Sequence, residues 1–139
     1  MVLLSRSTGR PITVQAMADE GLIPPRYLAK LLQGLSKCGL VCAQRGLKGG
    51  YVLSRPAEQI SLAEIVNSVD PLKRISNCPL GIVGHPDLCP LHSKLDQTMA
   101  AIEKTLTETK LSELSHKKDG TPALCSLEPP LVALNINIC

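Results

Sequence analysis

The stretch that decides the fold runs Leu40-Val41-Cys42-Ala43-Gln44-Arg45-Gly46-Leu47-Lys48-Gly49-Gly50-Tyr51-Val52-Leu53-Ser54. Two short apolar runs flank a glycine-rich turn, a pattern that predicts a β-hairpin. The tip carries Arg45 and Lys48 and is therefore basic. Cations at such a tip suit a phosphate backbone or a minor groove.

Upstream, Pro24 and Pro25 open a helix at the one place where a missing N–H costs nothing, and Gly39 closes it. Leu28, Leu31, Leu32 and Leu35 form its apolar stripe. Arg26, Lys30, Gln33 and Lys37 recur at helical spacing on the other face. Before it, Thr13 caps a shorter helix with Val14, Met17 and Ala18 on one side, ended by Gly21. Two helices joined by a short turn and followed by a basic hairpin predict a winged helix-turn-helix. In that arrangement an Arg reads guanine, a Gln reads adenine, and Lys30 and Lys37 serve equally well on phosphates. The competing reading is an ordinary solvated helix face.

Downstream, Ser61 and Glu64 form a capping box over a helix whose expected buried face is Leu62, Ile65, Val66 and Val69, stopped by Pro71. Residues 72–90 read as a loop containing Cys78, His85 and Cys89. A longer amphipathic helix starts near Pro90, with Leu91, Leu95, Met99, Ile102 and Leu106 in a row. Such a stripe needs a cover, either a second subunit or the same chain. His116 reads as a cation at a helix C-terminus. After Lys118, Gly120-Thr121-Pro122 and Pro129-Pro130 break any element, and residues 119–139 stay unassigned.

The 139 residues are one domain's length, and a 44% hydrophobic content rules out wholesale disorder. With no Phe, no Trp and two Tyr, the core is aliphatic, and a surface that stacks bases on aromatic rings is excluded. The net charge of +3 hides a split. Residues 1–57 carry eight basic side chains against two acidic ones, and residues 58–139 carry seven against ten. The first half is the expected nucleic-acid-facing half. No apolar run reaches the ~18 residues of a membrane span. Met1-Val2-Leu3-Leu4 is too short for a signal-peptide core, so the expected location is cytoplasmic. In a reducing compartment six cysteines point to metal or redox chemistry rather than disulfides. Cys38 and Cys42 are expected as small core residues, and Cys125 and Cys139 fall in the tail. The absence of a nucleophile–base spacing, a phosphate loop or paired acid–base carboxylates argues against an enzyme.

The wing motif from Gly39 through Arg45 to Pro56, with Ile23-Pro24-Pro25-Arg26-Tyr27-Leu28 before it and Cys89-Pro90-Leu91-His92 after it, resembles the Rrf2 family of bacterial transcription regulators, of the IscR and NsrR type. The resemblance covers residues 10 to about 115. It implies a mainly α fold with a small β-hairpin wing, and a homodimer bound to double-stranded DNA at a palindromic operator. The helix from about 90 to 107 would be the dimer seam. Arg26 and Tyr27 would start the recognition helix, and Arg45 would be the wing arginine. The implied organisation is a DNA-binding domain over 1–71, a metal or cluster loop over 72–90 and a dimerisation region over 91–118. Family members usually begin with a longer helix, of which Met1 to Ser5 would be a remnant.

Cluster-binding members of that family carry three cysteines in the loop, often followed by a His. Here Cys78 and Cys89 are separated by ten residues, His92 follows, and the middle cysteine is missing. His85 stands close to where it would be. The implied ligand set is Cys78, His85, Cys89 and His92. It suits a [2Fe–2S] cluster or a tetrahedral zinc ion, and the remaining alternative is a loop that binds nothing. The expected function is a DNA-binding transcriptional regulator sensing redox, nitric oxide or iron status through an iron–sulfur cluster. The alternative is a metal-free winged-helix regulator controlled by a protein partner or a small molecule.

Overall fold

The computed structural model describes residues 1–7, 9–46, 49–78 and 88–114. The expectations for Lys48, His85, His116, Cys125, Cys139 and the tail lie outside the described residues.

A short helix α1 (Val2–Arg6) drops Leu4 into the core, where it is 2% exposed. Helix α2 (Val14–Gly21) begins where Thr13 Oγ1 accepts the Ala16 N–H at 3.1 Å, the expected cap. Helix α3 (Pro25–Lys37) buries Leu32 and Leu35 and half-buries Leu28 and Leu31. Gly39 then takes a left-handed φ of +70°, so that the Leu40 N–H returns to the Leu35 carbonyl at 2.9 Å. Strands β1 (Val41–Gln44) and β2 (Gly50–Leu53) pair antiparallel, with Val41 opposite Leu53 and Gln44 opposite Gly50.

The hairpin has a further partner that no local pattern announces. Ile12 and Tyr51 exchange backbone hydrogen bonds at 3.0 and 2.9 Å, fixing the wing to the segment that enters α2. Gly50 makes this possible, because a Cβ there would lie 2.6 Å from the Ile12 carbonyl carbon.

Helix α4 (Leu62–Val69) carries the full capping box: Ser61 N–H donates to Glu64 Oε2 at 2.8 Å, and Glu64 N–H donates to Ser61 Oγ at 3.3 Å. The expected buried face requires correction. Ala63 is the buried residue; Leu62, Ile65 and Val66 are half-buried, and Val69 is 47% exposed. α4 is only two turns long and is approached from two sides. α3 comes close at Gly34, where a Cβ would sit 3.7 Å from the Ser68 carbonyl, and α5 (Pro90–Glu108) meets it from another direction.

Helix α5 has no buried residue along its 19 positions; Leu91, Leu95 and Ile102 are 64%, 46% and 42% exposed. After it, a 3-10 turn at Leu111–Leu114 returns to the core. The Leu111 N–H donates to the Ile60 carbonyl at 2.9 Å, and the Leu62 N–H donates to the Thr109 carbonyl at 3.0 Å. Leu111 joins Leu4, Met17, Leu32, Leu35, Leu40, Val41 and Ile60 in one aliphatic core.

The capping box yields a first prediction. Ser61→Ala costs about 1 kcal/mol. The Arg55 guanidinium and the Ser61 N–H hold the Glu64 carboxyl below the usual carboxylate range. A carboxyl lowered by folding contributes stability above its unfolded value and loses it as pH falls through the lowered one. The ion pair is half in water and adds less than about 1 kcal/mol. Thermal unfolding at neutral pH measures the Ser61→Ala loss, whereas wild type and Glu64→Gln, which removes the carboxyl itself, diverge at neutral pH and converge in acid. A constant gap across the carboxylate range would contradict this.

Candidate nucleic-acid interface and cysteine loop

The α3 face opposite Leu32 and Leu35 is built as the spacing predicts. Arg26, Lys30, Gln33 and Lys37 are all exposed, as is Tyr27 in the first turn. The turn before α3 sets how this helix is presented. Gly21 does not supply the left-handed residue that ends α2; Leu22 does, at φ 51°. Gly21 instead packs closely on the next turn, since a Cβ there would lie 3.3 Å from Ile23 Cδ1. The Ile23 N–H bonds back to the Ala18 carbonyl at 3.0 Å, while Leu22 is 58% exposed. A leucine held left-handed is uncommon, and strain of this kind persists where the surroundings fix it. In the wing Arg45 is exposed, beside Gly46 at φ 119°.

Cys38 and Cys42 are not core residues, contrary to expectation: both are exposed. Cys42 lies on a strand that buries only Val41, at 1% exposure, and leaves its next three residues exposed. The Cys42 thiol instead donates to Ser54 Oγ at 3.4 Å. Cys38 sits at the exposed C-cap of α3, next to Lys37.

The loop ending at Cys78 is fastened to α5. Arg74 Nε donates to Asp96 Oδ1 at 2.7 Å and a terminal guanidinium nitrogen to Oδ2 at 2.6 Å, a bidentate pair. The Ile75 N–H adds a third bond to Asp96 Oδ1 at 2.9 Å, and Glu103 approaches Arg74 at 3.7 Å. Arg74 and the Ile75 N–H hold the Asp96 carboxyl below its usual range, and Asp96 raises the guanidinium in turn. One helical turn nearer the start of α5, Cys89 Sγ and Cys78 Sγ lie 3.2 and 3.9 Å from the same nitrogen, His92 Nδ1. The structure thus brings Cys78, Cys89 and His92 together. The shared imidazole links two soft sulfur donors, a chemistry that fits zinc or an iron–sulfur cluster. Among the described residues no three His, Cys, Asp or Glu side chains are already arranged around a point that could hold a metal ion. Sequence spacing contained the cysteines and His92 but not Asp96, whose partner lies 22 residues away.

Among the described residues no helix is long and apolar enough to cross a membrane. A family model described as Rrf2, iron-dependent transcriptional regulator, matches residues 1–117. An HTH-type transcriptional regulator of Haemophilus influenzae is 32% identical over 117 residues, covering 80% of this chain and 75% of that protein. The structure of CymR, named the global cysteine regulator of B. subtilis, superposes with a TM-score of 0.67 at 25% identity, covering 81% of this chain and 84% of that one. IscR of T. potens gives a TM-score of 0.64 at 24% identity over 81% of this chain and 74% of that chain, a likeness of fold.

Proposed function

This chain belongs to the Rrf2 family of DNA-binding transcriptional regulators, which are not enzymes, and from that premise we propose that it binds a palindromic operator as a homodimer and senses through Cys78, Cys89 and His92. The observation that carries the DNA-reading part is the exposed Arg26–Lys30–Gln33–Lys37 face of α3, backed by buried Leu32 and Leu35 and flanked by the wing at Arg45. Arg26 and Gln33 suit base edges, Lys30 and Lys37 suit phosphates, and Tyr27 stands at the helix start. Lys48 completes the basic wing in sequence. The unburied length of α5 supports a second copy as its cover.

Cys78, Cys89 and His92, with His85 as the candidate fourth ligand, would hold a [2Fe–2S] cluster, and mixed Cys/His ligation raises the potential of such a cluster. Cys78 belongs to the loop, whereas Cys89 and His92 belong to the start of α5. Ligation would therefore add a second tie between loop and helix beside the Arg74–Asp96 pair, and its loss would relax the start of α5. A reoriented α5 changes the spacing of two recognition helices, to which half-site binding is sensitive.

Anaerobic purification with absorption spectra and iron, sulfide and zinc analysis tests this reading. Visible absorption with acid-labile sulfide, lost in Cys89→Ser, is the expected result. A colourless, metal-free protein that still binds its operator overturns the cluster. That outcome would favour the metal-free regulator, a reading supported by likeness to a cysteine regulator and by the lack of a preformed three-donor site among the described residues.

A further inference from the structure

We infer that Asp96 is a positioning residue that sets how closely the Cys78 thiol meets His92 and Cys89. The inference rests on reading those three side chains as one site. Asp96 and His92 lie four residues apart on α5 and therefore share a face, about 6 Å along the axis. The loop runs along that face in the opposite direction, held first at Arg74 and Ile75 by Asp96, then reaching His92 with Cys78. Cys78 stands only three residue steps beyond Ile75, a reach of at most ~10 Å. With Asp96 removed, the preceding side-chain anchor is Asn67, whose Oδ1 accepts the Leu72 N–H at 3.0 Å. The tether then spans six residues, with a reach of roughly 20 Å.

Doubling a tether lowers the effective concentration of its end roughly three- to tenfold. The carboxylate is suited to this task because it takes three bonds at once, two from one guanidinium and one from the backbone of the next residue. Arg74 alone therefore accounts for part of the clamp, and Asp96 for all of it.

The test needs no metal. The full chain, treated with a chelator, is equilibrated in glutathione redox buffers, and the Cys78–Cys89 disulfide is quantified by peptide mapping. Two protein thiols and one glutathione disulfide give one protein disulfide and two glutathione thiols. The equilibrium thus reads the effective concentration of one thiol at the other. Asp96→Ala is expected to lower it roughly three- to tenfold. Arg74→Ala should lower it less, and Asp96→Glu should restore it in part, with unchanged thermal unfolding in all three. An unchanged equilibrium in Asp96→Ala overturns the inference and leaves the sensing site standing. Failure of the wild type to form this disulfide in any buffer overturns the inference as well, whereas the sensing site is overturned separately, by a colourless, metal-free protein.

Discussion

Replacing Arg26 and Gln33 together by Ala is expected to erase discrimination between the operator and a scrambled duplex. A good bidentate side-chain contact to a base is worth about 1–3 kcal/mol of discrimination. Two of them correspond to a loss of roughly 30- to 20,000-fold on the specific site. Both side chains are exposed and neither supports the core, so unfolding should not change. Lys30→Ala and Lys37→Ala behave differently, weakening operator and scrambled duplex alike. Each also flattens the salt dependence by about one unit of slope. Fluorescence anisotropy across a salt series separates the two behaviours. An Arg26/Gln33 double variant that loses as much on the scrambled duplex as on the operator would remove these residues from base reading.

Leu111→Ala should cost far more stability than loss of the Ser61 cap. Leu111 is 1% exposed and lies in the same core as Leu32 and Ile60. Truncating a buried leucine costs about 2–5 kcal/mol, the sum of lost burial and the cavity left behind. Against a total stability of about 5–15 kcal/mol, that is a large fraction. Leu114, three residues on and 38% exposed, is the control, with a cost of about 0.5 kcal/mol or less. Denaturant unfolding measures both. A loss below about 1 kcal/mol at Leu111 would show that the turn after α5 does not seal the core.

These two predictions also mark what was legible in the sequence. The α3 face, the Thr13 cap, the Ser61–Glu64 box and the start of α5 at Pro90 are written in spacings of three and four residues, the range over which a helix couples its own side chains. Their structural outcome follows the pattern closely. The Ile12–Tyr51 pairing, the Arg74–Asp96 clamp and the burial of Leu111 join residues far apart in the chain, and no local period encodes them. Pro11-Ile12-Thr13-Val14 does contain a β-branched run, a faint signal for the first of these. The left-handed residue after α2 misleads for another reason. Gly21 ends α2 as its place in the sequence predicts, yet the left-handed conformation falls one residue later, on Leu22. Similarly, Cys38 is exposed at a helix C-cap and Cys42 on a strand that buries only Val41, against the usual burial of cysteine.

The return of the chain at Leu111 has a consequence for how such a regulator can diversify. Leu4 from the first helix and Leu111 from beyond the last one share a single core, so the head and the far end of the described chain close on each other. A recombination event that exchanged α5 together with the turn after it would leave a hole beneath Ile60 unless the newcomer carried its own plug. The core of the first half and the segment after α5 are therefore inherited as one piece. Diversification of the α5 arm must then come from side-chain changes along α5, not from swapping the arm whole.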